Sequence, residues 1–182
     1  MDPDRPLTLY LVRHGQSSWN VDHRLTGWSD VPLTELGQEQ ARALRPALEA
    51  EAFDGVWSSD LTRAWDTARL AYGEPTVDER LREIFFGELE GAIWTELVGP
   101  HKEALKNFQG FQAPGGESLV ELERRVLSFI DDLTPGRHLL FTHGGVVRQL
   151  LTQVGQARFV ANCTIVSLDW TNRALEFIRE PS

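Results

Sequence analysis

Leu7-Thr8-Leu9-Tyr10-Leu11-Val12, followed at once by Arg13-His14-Gly15-Gln16-Ser17-Ser18-Trp19-Asn20, is the stretch that decides the fold. The first six residues are nearly all apolar, stand behind Pro6, and give way abruptly to polar residues and glycine. A run so short and so continuous reads as a strand buried on both faces.

Outward from it, strand and helix signals alternate. Residues 34–50 have helical spacing, with Leu36, Gln40, Leu44 and Leu48 near one face and Thr34 as N-cap, and Pro46 predicts a break inside the span. Residues 55–58 read as a second strand, Asp60 as the cap of a helix to about Tyr72, and residues 75–78 as a weak third strand. Residues 81–91 read as an irregular loop, residues 94–108 as a helix and residues 110–116 as a linker. Ser118 and Glu121 form a capping box. Leu119, Leu122, Val126, Phe129, Ile130 and Leu133 continue it as an amphipathic helix ended by Pro135-Gly136. A strand at 139–141, a turn, a helix over 146–154 and strands at 163–170 and 174–179 complete the chain. The order predicts a three-layer α/β/α domain, its sheet mostly parallel with an antiparallel edge strand, helices on both faces.

Length and composition fit one domain over residues 1–182 with a substantial core: 182 residues, 41% hydrophobic and 25% charged. Lys plus Arg is 18 against 27 for Asp plus Glu, a formal net charge of −9. So acidic a chain is a poor partner for nucleic acid or an anionic membrane, and an anion must be held by a local cluster of Arg and His. The single cysteine, Cys163, excludes an internal disulfide and reads as a small buried hydrophobe. No apolar run is long enough to span a bilayer, and residues 1–6 lack the apolar core of a secretory signal, which predicts a cytoplasmic protein.

In such folds ligands sit beyond the carboxyl ends of the strands. Three turns lie there: Arg13-His14-Gly15, Ser58-Ser59-Asp60-Leu61-Thr62-Arg63, and Thr142-His143-Gly144-Gly145. Each delivers a cation or an imidazole to one rim. Arginine forks match phosphoryl oxygens, and a neutral imidazole is a nucleophile toward phosphorus at pH 7. Singly, Arg63, His14 and His143 read as structural residues; all three from different strand ends read as an anion site. The five histidines, His14, His23, His101, His138 and His143, fall in no metal-ligand spacing, so neither metal nor cofactor is expected. Gly-x-Ser-x-Gly and phosphate-binding Walker loops are also missing.

Residues 11–20 resemble the signature of the histidine phosphatase superfamily, in its phosphoglycerate-mutase-like branch: an Arg-His-Gly triplet with Asn20 six positions after the histidine. Residues 25–37, 58–64, Leu81-Arg82-Glu83 with Gly87 and Glu90-Gly91, 115–118 and 142–145 resemble its further motifs in the right order. The resemblance implies that His14 is the nucleophile, that Arg13, Arg63, His143 and Asn20 hold the phosphoryl oxygens with the backbone of Gly144, and that Glu83 is general acid and then base. Read without it, Glu83 is equally a loop carboxylate paired with Arg82 or Arg80. Thr26, Gly27 and Trp94 join the set as substrate-binding residues.

The segment Thr26-Gly27-Trp28-Ser29-Asp30 is similar to cofactor-dependent phosphoglycerate mutases. These carry a longer, arginine-bearing insert after the acid loop, whereas residues 92–114 hold Lys102 and Lys106 but no arginine. That short segment reads as a small lid, with Trp94, Phe108 and Phe111 either packing or closing over substrate. Residues 81–91 are most similar to small phosphatases of the α-ribazole-5′-phosphate type, which would tie the chain to cobalamin biosynthesis. The expected activity is hydrolysis of a small phosphate monoester by a monomer or homodimer. Mutase activity is the alternative, and an inactive phosphate-binding module the remote one.

Overall fold

The computed structural model describes residues 5–181. Six strands, β1 (Leu7–Arg13), β2 (Gly55–Ser58), β3 (Thr76–Val77), β4 (Gly136–Thr142), β5 (Ile165–Asp169) and β6 (Ala174–Arg179), form one sheet in the order β3-β2-β4-β1-β5-β6. β1 to β4 are mutually parallel, and both pairings of β5, with β1 and with β6, are antiparallel. The mostly parallel sheet with an antiparallel edge is therefore as the chain order predicts.

The helices are α1 (Ser18–Val21), α2 (Glu35–Ala43), α3 (Arg45–Glu49), α4 (Thr62–Ala71), α5 (Pro100–Asn107), α6 (Leu119–Asp131) and α7 (Gly144–Gln153). Successive side chains of a strand point to opposite faces. Leu9 and Leu11 of β1 accordingly pack with Leu122, Val126 and Phe129 of α6 and Val147 and Leu150 of α7. Tyr10 and Val12 pack on the other face with Ala41 of α2, Leu48 of α3, and Ala68 and Ala71 of α4. Both faces of β1 are covered, which is why it lacks polar alternation.

Several elements follow their local chemistry closely. The Ser118 side chain accepts from Glu121 N while Glu121 returns to the Ser118 backbone, completing the capping box. Leu44 separates α2 from α3, and Pro46 sits in the first turn of α3, where its missing N–H costs nothing. Other elements depart from expectation. The stretch expected to be helical over 94–108 is helical only over Pro100–Asn107, because Gly99 at φ +81° breaks the chain just ahead of it. Asp60 is not the cap of α4. The Asp60 carboxylate pairs with Arg82, and Asp30 instead accepts from Thr62 N and Oγ1, at 2.8 and 2.7 Å. Cys163 is buried ahead of β5, at φ +56°, rather than inside the strand. No described helix is long and apolar enough to cross a membrane.

Candidate active site

The parallel register sets the site. Arg13 stands opposite Thr142, and Ser58 opposite Phe141, so His14 and His143 leave the sheet at the same level, with Ser59 one residue short of them. His14 N donates to Thr142 O at 3.0 Å and Ser59 N to Phe141 O at 3.0 Å, extending the ladder by one step. The His14 and His143 rings meet edge to face with centroids 5.2 Å apart.

His14 Nδ1 lies 2.7 Å from Gly15 O. A carbonyl can only accept, so Nδ1 carries the proton and Nε2 keeps its lone pair. Burial, then Arg63, then Arg13 hold the His14 pKa well below its ordinary 6.5, and the ring stays neutral. Gly15 is needed for packing rather than for a ligand: a Cβ there would stand 2.4 Å from Gly37 O.

Around this ring lie donors without protein acceptors. Arg13 donates through Nη1 to Val160 O at 2.6 Å, while its buried Nε has no partner. Burial pulls the Arg13 pKa down to about 10, which leaves it charged at neutral pH. Arg63 is fully buried behind the rim; it donates to Ser29 O and Gly27 O at 3.0 and 2.6 Å, and its Nε is likewise unpartnered. His143 faces Ser59 Oγ through Nε2 at 2.9 Å, and its buried Nδ1 has no partner. Buried polar atoms are nearly always satisfied, so three such nitrogens on one cluster mark an anion cradle. Asn20 adds its amide: Oδ1 already accepts from Ser17 N and Asn162 Nδ2, which leaves Nδ2 to donate elsewhere.

Glu83 faces the cradle from the loop after β3. Oε2 accepts from Gly145 N and Oε1 from Ile84 N, both at 2.9 Å. Burial raises its pKa despite these two bonds and the positive charge of Arg63 and Arg13. It pairs with neither neighbouring arginine: Arg82 is bound to Asp60, and Arg80 to Asp78 and Asp132.

Arg13, His14, Asn20, Thr26, Glu83, Gly144 and Trp94 all line one pocket of about 660 Å³. Arg63 and His143, both fully buried, are not among its lining residues. Nor is Gly27, which donates from its N–H to Glu90 and lends its carbonyl to Arg63. Glu90 organises that whole turn, accepting also from Trp28 N, Ser29 N and Oγ, and Phe86 N. Of the three aromatics Trp94, Phe108 and Phe111 in residues 92–114, Trp94 and Phe108 reach the pocket and Phe111 is buried in the core against Phe86.

Several wall residues, Arg24 and Arg148 among them, escaped the sequence reading. With Lys106 of residues 92–114 they bring positive charge to the outer pocket, where Glu83 is the one carboxylate among the described lining residues. The arginine-free composition of residues 92–114 therefore understates the charge around the mouth. Arg148 reaches across from α7 to the carbonyls of Leu105 and Lys106, capping the last turn of α5. Its spacing four residues after Gly144 was the available signal, since both lie on one helix face. Phe159, 66% exposed, lies against the Arg13 guanidinium at 4.5 Å, and nothing in its neighbourhood announced it. No three described His, Cys, Asp or Glu side chains are grouped as a metal site.

This sheet with its imidazole and guanidinium cluster defines a class: residues 9–179 match the histidine phosphatase superfamily, branch 1, and the chain belongs to that family of enzymes. A phosphoglycerate mutase from Thermus thermophilus superposes with a TM-score of 0.90 at 46% identity, over 96% of this chain and 99% of that one. A Hydrogenobacter thermophilus protein provisionally named phosphoserine phosphatase 2 is 37% identical over 161 residues, 81% of this chain and 79% of that one. An Escherichia coli K-12 protein provisionally named an α-ribazole-5′-P phosphatase has a TM-score of 0.80 at 28% identity, over 97% and 96% of the two chains.

Proposed function

We propose that this chain hydrolyses phosphate monoesters through a phosphohistidine at His14. The observation that carries the reading is the free Nε2 of neutral His14 beside the unpartnered nitrogens of Arg13, Arg63 and His143. In the first step His14 Nε2 attacks phosphorus, and the ester oxygen leaves with the proton of Glu83. Arg13, Arg63 and His143 take the charge that builds on the phosphoryl oxygens, with Asn20 Nδ2 and Gly144 N completing the shell. In the second step the Glu83 carboxylate accepts a proton from water, whose oxygen attacks the phosphohistidine. Inorganic phosphate departs, and His14 and protonated Glu83 are restored. Residues 92–114 serve as the lid, and the rings of Trp94, Phe108 and Phe159 favour an ester with a flat or aromatic body.

Trapping tests the first step. Brief exposure to a phosphate-labelled ester should give a protein-bound phosphate stable to alkali and lost in acid, absent in His14→Ala, whose turnover should fall by about 10³ or more. Near-normal turnover of His14→Ala overturns the reading.

A phosphoglycerate mutase is the second reading, favoured by Arg24, Lys106 and Arg148 on the outer wall. Purified protein should be assayed on a panel of phosphomonoesters, with 3-phosphoglycerate tested with and without 2,3-bisphosphoglycerate. Bisphosphoglycerate-stimulated conversion of 3- to 2-phosphoglycerate, faster than any hydrolysis, puts the mutase first.

A further inference from the structure

Residues 82–86, between two short 3₁₀ turns at Glu79–Leu81 and Gly87–Leu89, carry Glu83 with no strand ladder or helix of their own. Something else must fix their backbone. Arg125, from the second turn of α6, does so with every donor it has. Nη1 donates to Arg80 O at 2.9 Å and Arg82 O at 2.8 Å. Nη2 donates to Glu83 O at 3.1 Å and to Glu117 Oε2 at 2.8 Å, and Nε to Glu117 Oε1 at 2.8 Å. A guanidinium has five N–H groups in a rigid plane, and all five are used here.

Glu117 closes the loop from the far side. Its Oε2 also accepts from Phe85 N at 2.9 Å, and its own N–H donates to Phe85 O at 2.8 Å. The backbone on both sides of Glu83 is thus tied to one half-buried ion pair, each side chain of which is 16% exposed. A third donor, Trp28 Nε1, reaches Glu83 O at 2.8 Å.

We propose that Arg125, with Glu117, is a positioning residue for proton transfer by Glu83. Arg125 lies outside the pocket wall and touches the Glu83 carbonyl rather than its carboxyl. It acts by fixing the peptide planes on either side of residue 83, and so the direction in which the carboxyl leaves the backbone. Lysine keeps the charge but offers one nitrogen, which cannot span three carbonyls and a carboxylate. The role therefore rests on fork geometry, and Arg125→Lys should behave like Arg125→Gln. The proposal depends on Glu83 being the general acid, so Glu83→Gln is measured beside it.

The test compares an alkyl phosphate with p-nitrophenyl phosphate, whose good leaving group needs little proton donation. A misplacement of about 1 Å at a reacting group can cost about 10²-fold. Arg125→Gln, Arg125→Lys and Glu117→Gln should each lose roughly 10- to 100-fold in kcat on the alkyl ester. They should lose no more than a few-fold on the activated ester, with KM nearly unchanged. Circular dichroism and thermal melts identify the variants that fold. Selective loss in Glu83→Gln with uniform loss, or none, in folded Arg125 variants overturns the positioning role alone. Uniform loss in Glu83→Gln itself overturns the acid assignment and this proposal with it. Full rescue by lysine replaces geometry with charge, and failure of all three variants to fold makes the pair a folding element only; either result overturns the proposal.

Discussion

The Glu83 carboxyl is moored to the second residue of α7: Gly145 N donates to Oε2 at 2.9 Å, and a Cβ built at 145 would stand 2.1 Å from Oε1. The loop after β3 and the helix after β4 are thereby joined at a carboxyl that lines the same pocket as His14. The nearest atoms belong to the end of a flexible side chain, so a methyl there displaces the acid rather than the fold. Gly145→Ala should melt within a few degrees of the parent. It should lose about 10²-fold in kcat on alkyl phosphates but far less on p-nitrophenyl phosphate. Equal losses on the two esters would count against the mooring.

The pH profile of kcat/KM should have two limbs with different origins. In the proposed mechanism His14 must be neutral to attack, and burial holds its pKa well below 6.5, so activity should rise with pH on a limb below that value. Glu83 must be protonated to assist a poor leaving group, and its pKa is raised above the ordinary 4.5. Alkyl ester hydrolysis should therefore fall as pH climbs past the raised Glu83 value. That falling limb should be absent with p-nitrophenyl phosphate; an identical limb with both esters removes Glu83 from the acid role.

Stability should depend on pH through the same groups. His14 and His143 are both held well below 6.5 in the folded chain, burial being the largest cause. The unfolded chain binds their protons first, so stability present above pH 6.5 is lost as pH falls beneath it. Each histidine contributes up to about 1.4 kcal/mol per pH unit. Glu83, with its raised pKa, opposes this: its contribution is present below 4.5 and fades as pH rises. Urea unfolding at pH 7.5 and 5.5 measures the balance. His143→Gln should lose less stability between the two than the parent, and an equal loss would show that His143 titrates normally in the folded state.

Trp94 lines the pocket with Lys102 5.5 Å above its ring. If the ring stacks on substrate, Trp94→Ala should lower kcat/KM for an aromatic ester by about 1 kcal/mol more than for a simple alkyl phosphate. Equal effects on the two would leave Trp94 as packing alone.

The elements legible in the sequence are those settled within a few residues. The capping box at Ser118 and the i, i+3, i+4 stripe of α6 rest on local hydrogen bonds and periodicity; they and strands β2 and β6 stand where the sequence puts them, and the break tied to Pro46 falls two residues earlier, at Leu44. Gly99 lies inside what reads as one helix because its backbone angle is invisible in composition. Asp60 reads as a cap because Arg82, its actual partner, is far along the chain.

The sequence by itself determined the order of strands and helices, the antiparallel edge, and the residue types gathered at three strand ends. Only the tertiary structure decided which of them meet. The β1–β4 register sets His14 beside His143; long-range bonds turn Gly27 from a wall residue into a carbonyl that holds Arg63, and bring Arg24 and Arg148 to the mouth. The physical reason is range. Periodicity and capping are interactions between near neighbours in the chain, whereas register, buried ion pairs and the reach of an arginine join residues tens of positions apart, and no local pattern carries them.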